Sequence, residues 1–185
     1  MQRITALNPD TATGKTKDLF NAVAHKLGIV PNMMRTMGTS TAVLNAYLSL
    51  SGALSEGKLG AKLGEKIALL VAEINECEYC AATHNYIGGK LLKIDKTDIA
   101  ASREGKAADS RTQAALTFAR ALVEKQGRVT DADVDALYGA GITEGEVGEM
   151  IGHVALNICT NYFNNTAITE VDFPKVELLS NLSQA

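Results

Sequence analysis

The chain contains 185 residues, of which 46% are hydrophobic and 21% are charged. These proportions are typical of a folded globular protein and exclude a largely disordered chain. The net charge of -3 provides no basic surface for a nucleic acid or an anionic membrane, which leaves small molecules and other proteins as partners.

Apolar residues recur at intervals of three and four along the whole chain, which is the period of amphipathic helices. In chain order, the pattern predicts helices around residues 19–27, 43–54, 67–74, 116–123, 134–138 and 147–162. Thr143 followed by Glu146 is typical of a capping box before the last of these. We therefore predict an all-α fold of about seven or eight helices.

The length predicts a single domain, in which residues 1–35 could form an N-terminal arm and residues 174–185 a mobile tail. The N-terminal segment lacks the apolar core of a secretory signal, so we expect a cytoplasmic protein. The longest uninterrupted apolar run, residues 67–72, is too short for a membrane span of about 20 residues.

The segment 77–84 contains two cysteines three residues apart and a histidine four residues further on. On a helix, Cys77, Cys80 and His84 lie along one stripe, because each residue advances by about 100°. Asn75 and Glu76 can end the preceding helix, which would leave Cys77 at a helix start, where unpaired N–H groups stabilise a thiolate. Outside a disulfide-rich secreted protein, such a pair is more typical of catalysis or metal binding than of structure. The segment predicts a redox site.

The two cysteines are expected to have different surroundings. Cys77 begins the helix and is expected to lie nearer the solvent, whereas Cys80 has His84 one turn further on, within reach for proton transfer. Glu65 lies on the preceding predicted helix among small residues, which would allow another helix to approach closely. Its carboxylate could orient His84 or relay a proton.

The spacing of Glu65, Cys77, Cys80 and His84 resembles the active-site signature of alkylhydroperoxidase D (AhpD) and related members of the carboxymuconolactone decarboxylase family. The similarity is strongest around residues 58–92, and the stretch from Thr160 to Pro174 is similar to peroxidase-related members. The resemblance implies an all-helical fold and a trimeric or hexameric homo-oligomer. It also implies reduction of hydroperoxides without a metal or another cofactor.

By the same resemblance, Cys80 attacks the peroxide, Cys77 resolves the product as a disulfide, and Glu65 and His84 relay protons. The implied electron donor is a dithiol or a lipoylated protein, and a peroxiredoxin is a further implied partner. One position departs from the signature, because Tyr79 stands where AhpD has a histidine. The decarboxylases of the family lack the cysteine pair, so their activity is not implied here.

Two other functions are compatible with the same residues. A protein disulfide reductase acting on a peroxiredoxin or a lipoyl group would use the outer Cys77 as the first nucleophile. A non-enzymatic helical module would use the cysteines to hold a metal or leave them inert. Zinc generally needs four ligands, however, and the remaining cysteine and histidines lie far away in the sequence.

The last predicted helix carries a stripe of asparagines, Asn157, Asn161 and Asn164. Such a stripe either lines a pocket or forms hydrogen bonds between helices or subunits. His153 could border the site from the same helix. Cys159, among apolar neighbours, is expected to be a small buried residue.

Overall fold

A computed structural model describes residues 1–182, which form ten α-helices and no strand. The helices are α1 (Gly14–Leu27), α2 (Asn32–Met37), α3 (Thr41–Ser55), α4 (Ala61–Ile74), α5 (Glu78–Tyr86), α6 (Lys96–Glu104), α7 (Ser110–Glu124), α8 (Asp131–Gly139), α9 (Glu144–Ala167) and α10 (Leu179–Leu182). Eight of these ten contain nine residues or more, which confirms the all-α prediction and the expected number of substantial helices. One turn of π-helix, Ile87–Leu91, continues α5.

Side-chain caps determine where several helices begin. At α7, Asp109 Oδ1 accepts a hydrogen bond from the backbone N–H of Thr112 at 2.8 Å. At α9, the Thr143 hydroxyl accepts from the N–H of Glu146, while the Glu146 carboxylate accepts from the N–H of Thr143. The predicted capping box is therefore confirmed. A cap of this kind stabilises a helix by about 1 kcal/mol.

Helix α4 lies at the centre of the molecule and packs against α5, α6, α7 and α9. Ile67 and Leu70 are fully buried in the larger apolar cluster, which includes side chains of α7 and α9. Leu69 is buried in a separate cluster with Ile94 and Ile99. Burial of each such side chain contributes about 1.5–3 kcal/mol. Because α4 is held on several faces, the position of Glu65, a predicted site residue on this helix, is well determined.

A further cluster of buried apolar side chains surrounds the start of α5 and draws on both ends of the chain. Phe20 and Met33 come from the predicted arm, and Leu178 comes from the predicted tail. The N–H of Leu179 also donates to the Glu73 carboxylate at 2.9 Å. The division into one domain with an arm and a mobile tail stays a prediction, and residues 183–185 of that tail lie outside the described residues.

Within residues 1–182, none of the helices combines the length and the apolar character that a membrane span requires.

Candidate active site

The connection between α4 and α5 places the first cysteine at a helix start. Helix α4 ends at Ile74, and Glu76 adopts a φ of 50°, in the left-handed region that turns the chain sharply. The N–H of Cys77 then donates to the carbonyl oxygen of Ala72 at 2.9 Å, and Cys77 becomes the N-cap of α5. The prediction that Asn75 and Glu76 separate two helices is confirmed.

Cys77 and Cys80 form a disulfide at the first turn of α5. Cys77 Sγ accepts a hydrogen bond from the backbone N–H of Cys80 at 3.3 Å, so the sulfur itself caps the helix. Cys77 is 0% exposed and Cys80 3% exposed. The expectation that Cys77 lies nearer the solvent is therefore wrong. The reason is that the helix start belongs to a buried apolar cluster with Phe20 and Met37 from the N-terminal helices.

A cavity of about 450 Å³ borders the second cysteine and is hereafter called the Cys80 cavity. Its walls come from helices α1 to α5, the π-helical turn and α9. Apolar side chains such as Leu54, Ile87 and Leu156 make up much of the lining. Glu65 and His84 also face it, so three of the four predicted site residues meet there. The fourth, Cys77, is joined to them through the disulfide.

Glu65 and His84 form an ion pair between α4 and α5. Their Oε1 and Nδ1 atoms are 2.8 Å apart, and both side chains are largely buried. Burial lowers the pKa of His84, but the charge of Glu65 and hydrogen bonds to Glu65 and Asn157 outweigh that effect. The pKa of His84 consequently lies above its ordinary value, which favours the protonated imidazole. The pairing that sequence spacing suggested is present in the fold.

Helix α9 supplies a second set of contacts to this pair. Asn157 Nδ2 donates to the carbonyl oxygen of His153 at 2.8 Å, which leaves the Asn157 amide oxygen to accept from His84. His153 borders the Cys80 cavity. Burial lowers the pKa of His153, although the charges of Glu149 and Glu65 oppose this effect. The cavity is therefore lined by two imidazoles, His84 and His153, whose pKa values are shifted in opposite directions.

Tyr47 of α3 is a cavity residue whose position the sequence did not reveal. The pKa of Tyr47 is raised to about 12, chiefly by burial. A hydrogen bond to Ser51 opposes this rise, and the charge of Glu65 adds to it. Its hydroxyl stays protonated at neutral pH and can serve as a hydrogen-bond donor. In the sequence, this tyrosine belongs to the apolar stripe of a predicted helix, a pattern typical of a core residue.

Tyr79, the position that departs from the family signature, holds the C-terminal segment in place. Its hydroxyl accepts from the N–H of Met33 at 3.1 Å and makes a second hydrogen bond with Asp172. Its ring packs edge-on against Phe173, with ring centroids 6.0 Å apart. Burial, above all, raises the pKa of Tyr79 beyond the usual range of tyrosine. A side chain in this state is a structural anchor and an unsuitable proton relay.

The asparagine stripe of α9 divides between the two predicted roles. Asn157 lines the Cys80 cavity, while Asn161 Oδ1 accepts from Asn75 Nδ2 at 3.0 Å. Asn164 Nδ2 donates to the sulfur of Cys80 at 3.3 Å.

Cys159 is exposed, so its predicted burial is wrong. It lies two residues from both Asn157 and Asn161, which places it on the opposite side of the helix.

Within residues 1–182, no group of three or more histidine, cysteine, aspartate or glutamate side chains is arranged to hold a metal ion.

No protein-family model and no curated protein sequence matches the chain. Solved structures do match. An uncharacterised peroxidase-related protein from Ralstonia eutropha JMP134, described as an alkylhydroperoxidase AhpD core, superimposes with a TM-score of 0.83. The two sequences are 22% identical, and the match covers 92% of this chain and 92% of that one. The chain has an AhpD-like fold.

Two further structures support the same assignment of fold. A peroxidase-related protein from Silicibacter sp. TM1040 gives a TM-score of 0.77 at 23% identity, covering 90% of this chain and 91% of that one. The debrominase Bmp8 gives a TM-score of 0.77 at 21% identity, covering 91% of each chain. Bmp8 has also been solved as a cysteine-to-alanine variant in complex with 2,3,4-tribromopyrrole. The resemblance found in the sequence is confirmed for the AhpD-like fold.

Proposed function

We propose that the protein is a thiol-dependent peroxidase that reduces organic hydroperoxides through Cys77 and Cys80. The observation that supports this most is that Cys80 of the disulfide borders the same cavity as the Glu65–His84 pair. A nucleophilic sulfur, a proton donor and space for a substrate therefore occur together. The apolar lining favours a hydroperoxide with an organic substituent over hydrogen peroxide.

The reaction begins from the reduced protein. The Cys80 thiolate attacks the terminal oxygen of the hydroperoxide, a sulfur–oxygen bond forms, and the O–O bond breaks. The leaving alkoxide takes a proton from the His84 imidazolium and departs as an alcohol. Glu65 holds the imidazole in position and stabilises its positive charge. Cys80 is left as a sulfenic acid.

Resolution and reduction complete the cycle. The Cys77 thiolate attacks the Cys80 sulfur, which gives the disulfide and releases hydroxide that becomes water on protonation. An external dithiol, proposed to be a small dithiol or a lipoylated protein, then attacks the Cys80 sulfur from the cavity. Cys77 leaves as a thiolate that accepts the backbone N–H of Cys80, as its sulfur does in the disulfide. The second thiol of the donor then attacks the donor sulfur of the mixed disulfide, which closes the donor disulfide and releases the Cys80 thiolate.

The burial of Cys77 argues against the disulfide-reductase alternative in the form given above. That alternative has Cys77 attack first, whereas Cys77 is fully buried and Cys80 borders the cavity. We therefore propose that Cys80 receives both the peroxide and the reductant. A peroxiredoxin and further copies of this chain, as a trimer or hexamer, remain proposed partners on the family resemblance.

The test is a stopped-flow measurement of organic hydroperoxide consumption by the reduced protein. Wild type should consume one equivalent rapidly and form the disulfide. Cys80→Ser should abolish the rapid phase, and Cys77→Ser should retain one turnover and trap a sulfenic acid on Cys80. Cys159→Ser, which removes the exposed cysteine, is the matched control and should behave as wild type. A rapid phase that survives Cys80→Ser would overturn the assignment.

A second candidate is reductive dehalogenation of a small aromatic ring. It is favoured by the cavity of about 450 Å³ beside Cys80, together with the likeness in fold to a debrominase crystallised with a bromopyrrole. The His84 imidazolium would protonate the ring at the carbon that bears bromine. The Cys80 thiolate would then attack that bromine, which breaks the carbon–bromine bond, restores the aromatic ring and forms a sulfur–bromine bond. Cys77 would then displace bromide to give the same disulfide. Release of bromide from a bromopyrrole distinguishes this reaction from peroxide reduction.

A further inference from the structure

The side-chain amide of Asn164 lies against the reactive sulfur. Asn164 is 3% exposed, and its Nδ2 donates to Cys80 Sγ at 3.3 Å. Its Oδ1 is buried and has no hydrogen-bond partner within residues 1–182. A buried amide oxygen without a partner is destabilising, and Asn161 Nδ2 and Thr169 Oγ1 share that condition. The contact with the Cys80 sulfur is what distinguishes Asn164.

The neighbouring asparagine has an ordinary structural contact. Asn161, one turn earlier on α9, accepts a hydrogen bond from Asn75 at the end of α4, while its Nδ2 is buried without a partner within residues 1–182. Asn164 instead directs its donor at a sulfur, which is a weak acceptor while it belongs to a disulfide. Reduction converts that sulfur into a thiolate, a far stronger acceptor. The contact therefore gains strength in the state that reacts.

The charged Glu65–His84 pair shares the cavity with Cys80, but the other surroundings of Cys80 are mainly apolar, so a donor at the sulfur adds to the stability of the thiolate. Cys80 belongs to a buried apolar cluster with Met33 and Met34, and apolar surroundings favour the neutral thiol. Its own backbone N–H is directed to the sulfur of Cys77. The Asn164 amide supplies the side-chain hydrogen bond that the structure shows to the Cys80 sulfur.

We propose that Asn164 is a further catalytic residue, whose Nδ2–H group stabilises the Cys80 thiolate. Rotation of the amide by half a turn exchanges Nδ2 and Oδ1, so the free oxygen can accept from the protonated thiol. A hydrogen bond to a charged sulfur is about twice as strong as a neutral one, and the net effect favours the thiolate. The inference rests on the proposed role of Cys80 as the reactive thiol, and it is independent of the substrate.

The experiment measures ionisation of Cys80 directly, in a background that lacks the other two cysteines (C77S with C159S). The rate of alkylation by iodoacetamide and the thiolate absorbance near 240 nm are followed against pH. Asn164→Leu is expected to raise the pH midpoint by roughly one to two units, because a hydrogen bond to a charged group is lost. Asn21→Leu, the same change on the exposed side of α1, is the matched control and should leave the midpoint in place.

An unchanged midpoint in Asn164→Leu would overturn the proposal. Should that variant fail to fold, Asn164→Ser, which keeps a smaller donor, carries the test with a smaller upward shift expected. Neither measurement uses a peroxide. A protein that consumes peroxide with an unmoved midpoint would contradict the role of Asn164 alone, while a moved midpoint without peroxide consumption would contradict the peroxidase proposal alone.

Discussion

At the scale of single residues, Glu65 connects most of the polar chemistry around the Cys80 cavity. It pairs with His84 at 2.8 Å, and its charge acts on both Tyr47 and His153. One carboxylate thus influences side chains from α3, α5 and α9. The proposed proton donor, His84, depends on it, because burial alone would lower the pKa of that imidazole.

Glu65→Gln is expected to reverse the direction in which the pKa of His84 departs from its ordinary value. Burial, the largest influence, would then act without the opposing charge. The fraction of imidazolium at neutral pH should fall, and peroxide consumption should slow by roughly 100-fold through loss of the proton donor. Titration of the His84 ring by NMR checks the first result, and stopped-flow kinetics check the second.

The matched control for that change is Glu124→Gln, on the surface of α7. It removes the same charge from an exposed position and should alter neither quantity. Full peroxide activity in Glu65→Gln, accompanied by a lowered pKa of His84, would contradict the role of the imidazole as proton donor.

At the scale of helices, the close approach of α4 and α9 brings the two halves of the site together. Gly64 is buried in α4, and a Cβ atom placed there would lie 2.8 Å from Cε1 of His153. This distance is shorter than real side chains tolerate, so a larger residue at position 64 would displace the His153 ring from its present place. Gly148 of α9, in contrast, has open space around the position of a Cβ.

Gly64→Ala and Gly148→Ala should therefore have opposite effects on stability. The first forces His153 or the helix backbone to move and should cost about 1–3 kcal/mol. The second removes a glycine from a helix interior and should stabilise by about 0.5–1 kcal/mol. Urea denaturation of both variants gives the two values. Equal effects would show that the His153 ring moves aside at no cost.

At the scale of the whole molecule, the features that could be predicted from the sequence are those that depend on residues close together in the chain. The helix break at Asn75 and Glu76, the capping box at Thr143 and the four signature residues all follow from short-range patterns. The burial of Cys77 does not follow from a short-range pattern, because the apolar side chains that cover it come from the N-terminal helices. Long-range packing decides exposure, and one sequence does not reveal which distant segments meet.

The contacts made by α9 illustrate the same limit. The asparagine stripe was visible in the sequence, but its division into a cavity residue, a helix contact and a sulfur contact depends on the angle at which α9 crosses α4 and α5. Asn164 lies 84 residues from Cys80 along the chain, so no local pattern connects them. The contact appears only after the chain has folded.

The pH dependence of stability also belongs to the whole molecule, because His84 and His153 act in opposite senses. The pKa of His84 is raised, so its contribution is complete below the ordinary value of about 6.5 and is lost as pH rises through the folded value. The pKa of His153 is lowered, so its contribution is complete above about 6.5 and is lost as pH falls through the folded value. Together they predict a stability maximum near pH 6.5 in this range.

Single substitutions separate the two contributions, with the free energy of unfolding measured by denaturant at several pH values. His84→Gln should remove the decline above about pH 6.5, and His153→Gln should remove the decline below it. Both variants are compared in the oxidised state, so that thiol ionisation does not contribute. A decline above pH 6.5 that persists in His84→Gln would mean that Glu65 does not hold the imidazole in its charged form, and the proposed proton donor would then have to be sought elsewhere in the cavity.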